Sequence, residues 1–314
     1  MSELPILDLG PYLRNEPGAL EKLSGELYEA ATKVGFYFII NHGVSQELID
    51  RTFAESARFH ALPEEEKLKI KQSEHYVGYV PRNGMRIDTG DGFNNSKNRA
   101  DVQSAYHVGR DYSPDHPLAK AGVRYYVPQP WPENLPGFKE NVQEYFKACE
   151  SLGNRLLKIY AAALDVPEDY FDEAFKDPLD YLRMVHYPRT DKLSSDQFGL
   201  GAHTDAGFMT FLPQTKVPGL EIMLADGRWI PQPTIPGAYL VNAGQALKRW
   251  TNDRFRATPH RVISPTGVED RHSLAFFYNP GVNAHIECIT EKPKHEPMKY
   301  GDHMAQYMAN TYRY

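Results

Sequence analysis

The sequence predicts a mainly β fold with flanking helices (α+β), and three observations predict it. From residue 181 onward the chain consists of short apolar runs separated by turn residues, the texture of strands. Ahead of that point, apolar residues recur at helical spacing over long stretches. A length of 314 residues with 41% hydrophobic content is enough for a large core, as one large domain or two closely packed lobes.

The elements follow in order. Residues 4–9 read as a short strand. Residues 16–33 read as a helix, with Leu20, Leu23, Leu27 and Ala31 on one face and Gly35 as a left-handed cap. Residues 36–41 are a buried strand by length and composition. His42 after it reads as structural. Ser45 can cap a second helix running towards Leu62, with Gln46, Glu47 and Asp50 in its early turns. Pro63 and three glutamates start a short third helix. Over 73–118 periodicity fades and Gly, Asn, Asp and Arg dominate, so this is a long loop region with some strand at 102–108. Residues 119–135 are a Pro-rich connector. A long helix over 138–164 buries Val142, Phe146, Cys149, Leu152, Leu156 and Tyr160. A shorter one covers 167–175.

Strands are then expected at 181–187, 200–205 continued by 209–213, 219–224, 228–230, 239–242, 260–264 and 273–278. Asp226-Gly227 makes a hairpin turn. Residues 300–314 form a closing helix. The chain divides into 1–118, 119–176, a strand-rich core at 177–285 and a C-terminal lid segment at 286–314.

Composition excludes several classes. The net charge of −6 and pI near 6.1 provide no basic stripe, so no nucleic-acid partner is expected. Two cysteines, Cys149 and Cys288, make no disulfide framework and point to a reducing compartment. The start shows no basic region followed by an apolar one, and the apolar run 36–40 is far too short to span a bilayer. The expectation is a cytoplasmic protein with no membrane partner, monomeric by default. Neither a phosphate-binding loop nor a dinucleotide fingerprint occurs, and no Gly-x-Ser-x-Gly elbow appears.

The chemistry centres on Gly201-Ala202-His203-Thr204-Asp205-Ala206-Gly207. In an extended strand residues i and i+2 share a face, so His203 and Asp205 can converge on one point. Alone, such a triplet is most often a surface pair or a hydrogen-bonded couple. Downstream, His260 opens a β-branched run that can lie beside the first strand and supply a second imidazole. Two histidines and one carboxylate can hold one face of an octahedral iron. Arg271 and Ser273 share a face with Ala275 and Phe277. Arg271 offers a planar fork for a carboxylate and Ser273 a hydroxyl. An inward arginine on an apolar strand is costly unless paired, and an anionic ligand is a natural partner.

His203-x-Asp205, His260 and Arg271-x-Ser273 resemble, in order and rough spacing, the iron(II)/2-oxoglutarate-dependent dioxygenases, closest to the isopenicillin N synthase-like family. The resemblance includes Leu4-Pro5-Ile6-Leu7-Asp8-Leu9 and Gly35-Phe36-Tyr37-Phe38-Ile39-Ile40-Asn41-His42-Gly43-Val44. It continues through Leu62-Pro63-Glu64-Glu65-Glu66-Lys67, Gly78-Tyr79 and Arg249-Trp250-Thr251-Asn252-Asp253-Arg254-Phe255. It spans nearly the whole chain. It implies a double-stranded β-helix (jelly-roll) core, consistent with a sandwich or barrel of short strands. It implies non-haem iron(II) on His203, Asp205 and His260, with 2-oxoglutarate and O2 as cosubstrates. The distal carboxylate of 2-oxoglutarate is then bound by Arg271 and Ser273, with Tyr187 in reach. Succinate and CO2 are the coproducts, and a small-molecule substrate is hydroxylated, desaturated, epoxidised or cyclised.

Substrate contacts are expected from the mouth region at Tyr79, Arg82, Arg86, Tyr106 and His107, and from Phe208. Two arginines there hint at a carboxylate-bearing substrate. Two positions depart from the family. Gln245 stands where the family often has aspartate, and Val185 where it usually has asparagine. The alternative enzyme is an oxidase of the isopenicillin N synthase type that uses no 2-oxoglutarate. A jelly-roll binding protein without turnover, expected to show a broken triad or clamp, is a weaker alternative because all five positions are intact.

Overall fold

The computed structural model describes residues 4–82, 84, 101–190, 198–265 and 269–311. The N-terminal part sets strands among helices: β1 (Ile6–Asp8), α1 (Gly10–Leu13), α2 (Ala19–Lys33), β2 (Phe36–Ile40), α3 (Gln46–His60), α4 (Glu64–Leu68), β3 (Gly78–Val80) and β4 (Ser104–Gly109). The Ser45 hydroxyl accepts from Leu48 N at 3.2 Å and caps α3, as its sequence suggests. Gly35 sits at φ 77°, and a Cβ there would lie 2.3 Å from the Arg256 carbonyl oxygen, so no other residue fits this close approach. His42 is structural: Nε2 meets the Gly237 carbonyl at 3.1 Å and Nδ1 accepts from Val44 N at 3.2 Å.

Next come α5 (Pro117–Lys120) and α6 (Phe138–Ala163). Helix α6 buries the expected stripe from Val142 to Tyr160 against the sheet and α2. The helix expected over 167–175 is instead a run of tight turns ending in one 3₁₀ turn, Glu173–Phe175. Tyr170 N bonds to Pro167 O and Asp172 N to Asp169 O, both i to i−3. Phe171 and Phe175 are drawn into an aromatic cluster with Phe208, and that packing sets the local path.

The remaining strands are β5 (Tyr181–Tyr187), β6 (Leu200–His203), β7 (Met209–Pro213), β8 (Leu220–Met223), β9 (Trp229–Pro231), β10 (Tyr239–Ala243), β11 (His260–Val262), β12 (Arg271–Tyr278), β13 (His285–Ile286) and β14 (Met298–Lys299). Helix α7 (Gln245–Trp250) follows β10, and α8 (Tyr300–Thr311) closes the chain. Among the described residues, the major sheet runs β1-β2-β10-β7-β12-β5-β4-β3 and the minor sheet β6-β11-β8-β9. The β-rich core is the expected jelly roll with flanking helices. The major sheet takes β1 to β4 from the N-terminal part, so that part and the core share one sheet.

One local expectation changes. Residues 200–205 and 209–213 are not one continued strand. β6 ends at His203 in the minor sheet and β7, a strand of the major sheet, begins at Met209, with Asp205 in the turn between them. The chain changes sheet at the residues that carry the chemistry.

Candidate active site

His203 and His260 lie directly opposite each other on antiparallel β6 and β11. Their ring centroids are 4.3 Å apart. Asp205 is not on the strand, so period-2 alternation does not aim it. The turn does, by hydrogen bonds from Thr210 Oγ1 (2.6 Å) and Asn242 Nδ2 (2.7 Å) to Oδ2. Oδ1 is left facing His203 Nε2 at 3.7 Å and His260 Nε2 at 3.6 Å. One donor atom from each of the three residues lies within 4.8 Å of the others, and all three residues are buried.

The far ring nitrogens are engaged. His203 Nδ1 meets the Gly201 carbonyl at 2.8 Å and His260 Nδ1 the Thr258 carbonyl at 3.2 Å. A carbonyl only accepts, so each Nδ1 carries a proton and each Nε2 points inward. Burial and the neighbouring His260 ring push the His203 pKa down to about 3, which keeps the imidazole neutral. Burial pushes Asp205 up, but the His260 and His203 rings and the two side-chain donors outweigh it and hold the carboxyl below its ordinary range. A neutral His203 imidazole and an ionised Asp205 are the protonation states a metal needs, and His260 turns its Nε2 to the same point.

The same cavity reaches the major sheet. Arg271 pairs across β12 and β5 with Tyr187, and Ser273 with Val185. All four side chains line the cavity with the triad. Arg271 is 2% exposed, and its Nε and Nη1 have no hydrogen-bond partner. Its guanidinium lies over the Tyr187 ring, 4.9 Å from the centroid. Burial lowers the Arg271 pKa, while Tyr187 favours the charged form. A buried cation with open donors beside a triad is what a cosubstrate carboxylate would complete.

The expected substrate contacts fare differently. His107 is buried beside the cavity, where its Nε2 accepts from Arg183 Nε at 3.1 Å. Tyr106, the next residue on β4, faces the other way and stacks on Phe59 at 4.4 Å. Tyr79 pairs with Tyr106 on that outer face and donates to Glu64 at 3.1 Å. Phe208 packs among Tyr160, Phe171, Phe175 and Trp250. Arg82 is exposed and absent from the cavity wall. Tyr79, Tyr106 and Phe208 are therefore corrected from substrate contacts to core residues, because strand alternation and aromatic packing turn them away, and Arg82 is corrected to a surface residue outside the cavity wall. Arg86 lies outside the described residues.

Sequence reasoning missed Arg183, Thr210 and Asn242. Arg183 lines the cavity and shares the inward face of β5 with Val185 and Tyr187, so the period-2 rule held the signal. Thr210 and Asn242 carried none, since only the meeting of β7 and β10 brings them to Asp205. The two departures are both visible. Val185 adds an apolar wall to the cavity, and Gln245 Nε2 donates to Thr204 Oγ1 at 2.8 Å.

Comparison with known proteins agrees with this geometry. Residues 4–134 match the family described as non-haem dioxygenase in morphine synthesis N-terminal, and residues 179–280 match the 2OG-Fe(II) oxygenase superfamily. The 2-oxoglutarate-Fe(II) type oxidoreductase hxnY of Emericella nidulans is 32% identical over 312 residues, covering 95% of this chain and 87% of the relative. The 2-oxoglutarate-dependent dioxygenase citB of Monascus ruber is 31% identical, with 98% of this chain and 95% of the relative covered. A full-length Neurospora crassa protein, solved in complex with alpha-KG and also with alpha-KG and thymine, superposes with a TM-score of 0.86 at 26% identity over 98% of both chains. Sequence and structure together place this chain in the isopenicillin N synthase-like branch of the 2OG-Fe(II) oxygenases: it belongs to the non-haem iron, 2-oxoglutarate-dependent dioxygenases.

Proposed function

We propose that His203 Nε2, His260 Nε2 and Asp205 Oδ1 hold the iron(II), and that Arg271, with Ser273 and Tyr187, binds the distal carboxylate of 2-oxoglutarate. The observation that carries this reading is Arg271, buried on an inward strand face with two guanidinium nitrogens open. Iron with 2-oxoglutarate and O2 supplies the oxidising chemistry, giving succinate and CO2 as a small molecule is oxidised. The chain's own residues bind, orient and exclude water. Thr210 and Asn242 occupy one oxygen of Asp205 and so present the other. Val185, Leu200, Leu220 and Val262 give the cavity its apolar wall.

Use of 2-oxoglutarate, rather than the oxidase alternative without it, is supported by the relatives' names and by the Neurospora crassa structure bound to alpha-KG. A carboxylate-bearing substrate is read from Arg183 in the cavity wall, in place of Arg82. The lid role of 286–314 rests on α8 lying beside the metal turn, where His303 Nε2 meets the Ala206 carbonyl at 2.9 Å. No described helix is long and apolar enough to cross a membrane. A cytoplasmic setting and a monomeric state complete the reading, the former from the two unpaired cysteines.

The test is an anaerobic titration of the metal-free protein with iron(II) and 2-oxoglutarate, followed by visible absorption. A charge-transfer band that appears in wild type and fails in Arg271→Ala at the same cosubstrate concentration is expected. Bound iron with no band in wild type would overturn 2-oxoglutarate use.

A further inference from the structure

Beside the metal cavity lies a second, smaller chamber, roofed by Met304 and Met308 of α8 and walled by Tyr76, Tyr125 and Tyr181, with His107 and Arg110 also in its lining. The two adjoin across one ring pair. Phe277, which lines the metal cavity, stacks on Tyr181 at 4.5 Å, and the two are cross-strand partners. Asn279 ties it to the metal turn: its backbone N donates to Asp180 Oδ1 at 2.7 Å, while its side-chain oxygen accepts from Phe208 N at 3.0 Å.

Asp180 at the chamber's base is 3% exposed, yet Oδ2 has no hydrogen-bond partner. The Tyr125 hydroxyl, also in the lining, is buried and unpartnered as well. A buried carboxylate oxygen without a donor is expensive. Burial pushes the Asp180 carboxyl well above its ordinary range, and a cation placed against it would reverse that shift. The nearby charges do not match it. Arg110, in the same lining, faces both Glu150, with Nε 3.4 Å from Oε1, and Asp180, so one cation answers two carboxylates and one negative charge is left over. Arg183 stands behind His107 and is bonded to it. The free volume is about 30 Å³. One water needs roughly 10–15 Å³, so an ammonium head and its first carbons fit and little more.

We propose that Asp180 Oδ2 receives an ammonium group of the substrate, so that this oxygenase acts on an amine-bearing small molecule whose cationic end sits under α8. The aromatic rings and the two methionine side chains of the chamber pack the carbons next to the nitrogen. This deepens the function proposed above and rests on it.

The experiment uses the full chain loaded with manganese(II) and 2-oxoglutarate without oxygen, and titrates two probes of matched shape by calorimetry: 2-phenylethylamine and 2-phenylethanol. The amine is expected to bind wild type about tenfold more tightly than the alcohol, the discrimination of one charge-assisted hydrogen bond. Asp180→Asn keeps an oxygen for the Asn279 amide and removes the charge. It is expected to erase that preference while its 2-oxoglutarate affinity stays at the wild-type value, which also shows that it is folded. Tyr125→Phe serves as a second variant and should weaken amine binding by a smaller factor. Alcohol binding as tightly as the amine overturns the proposal, and so does an unchanged preference in Asp180→Asn. Failure of wild type to bind 2-oxoglutarate instead overturns the cosubstrate reading, and the probe series still decides whether Asp180 selects a cation.

Discussion

On β5 and β12 alternate side chains face the cavity, and the intervening ones face helix α3. The inward set includes Tyr187, Val185 and Arg183 from one strand, and Arg271, Ser273 and Ala275 from the other. The outward set includes His186 and His272, stacked at 4.9 Å, with His60 of α3 5.2 Å from His186. Both faces bury ionisable groups, but they treat them differently. On the outer face the protein satisfies its own histidines. His186 Nε2 meets Asp270 Oδ2 at 2.7 Å, His272 Nδ1 meets the Ser56 hydroxyl at 3.3 Å, and His60 meets the Met184 carbonyl at 3.0 Å. On the inner face Arg271 keeps two nitrogens without a protein partner. Burial alone therefore does not mark function here. The two faces differ in that Arg271, beside the triad, keeps open donors.

The sharpest way to break this contrast is at the triad. His260→Ala should abolish stoichiometric iron binding, a larger loss than the roughly 10–100-fold that removal of a supporting partner costs. Equilibrium dialysis followed by metal analysis checks it, and wild-type iron content in the variant would remove His260 from the site.

Arg271 comes next. Arg271→Ala should weaken 2-oxoglutarate by about 2–5 kcal/mol, the range for losing one partner of a buried charge pair. Arg271→Met separates binding from folding. An apolar replacement for an unpaired buried cation should leave the ligand-free Tm equal or higher. Protection by 2-oxoglutarate, about 2.7 kcal/mol at a hundred times Kd, should vanish. A lower ligand-free Tm in the methionine variant would mean that Arg271 is a structural group.

The outer face should answer to pH. Burial holds His60 down to about 3 and His272 down to about 4, against 6.5 in an open chain. Between pH 6.5 and about 4 the unfolded chain takes up protons that the folded chain refuses, so stability falls as pH falls, by about 1.4 kcal/mol per unit for each group. Denaturant midpoints measured across that window should show a shallower slope for His60→Gln than for wild type. Equal slopes would show that His60 is charged in the folded protein.

The smallest effect belongs to Gln245. Gln245→Ala loses one hydrogen bond to Thr204, worth about 0.5–1.5 kcal/mol. It should lower Tm slightly and leave iron stoichiometry intact. Loss of iron from this variant would make Gln245 a support of the metal turn.

By itself the sequence determined much of this molecule. It carried the helical stripe of α6, the cap at Ser45, the strand texture after residue 181 and the inward pairing of Arg271 with Ser273. These are local properties, set by side-chain period and by hydrogen bonds a few residues long. Only the tertiary structure decided the rest. It turned Tyr79 and Tyr106 outward, buried Phe208 among rings, moved Asp205 off its strand and brought Asn242 and Thr210 to its carboxylate. It also left Asp180 Oδ2 without a donor. Which sheet covers a face, and which donor reaches a given oxygen, depends on segments far apart in the chain, and a period read along one strand does not contain that information.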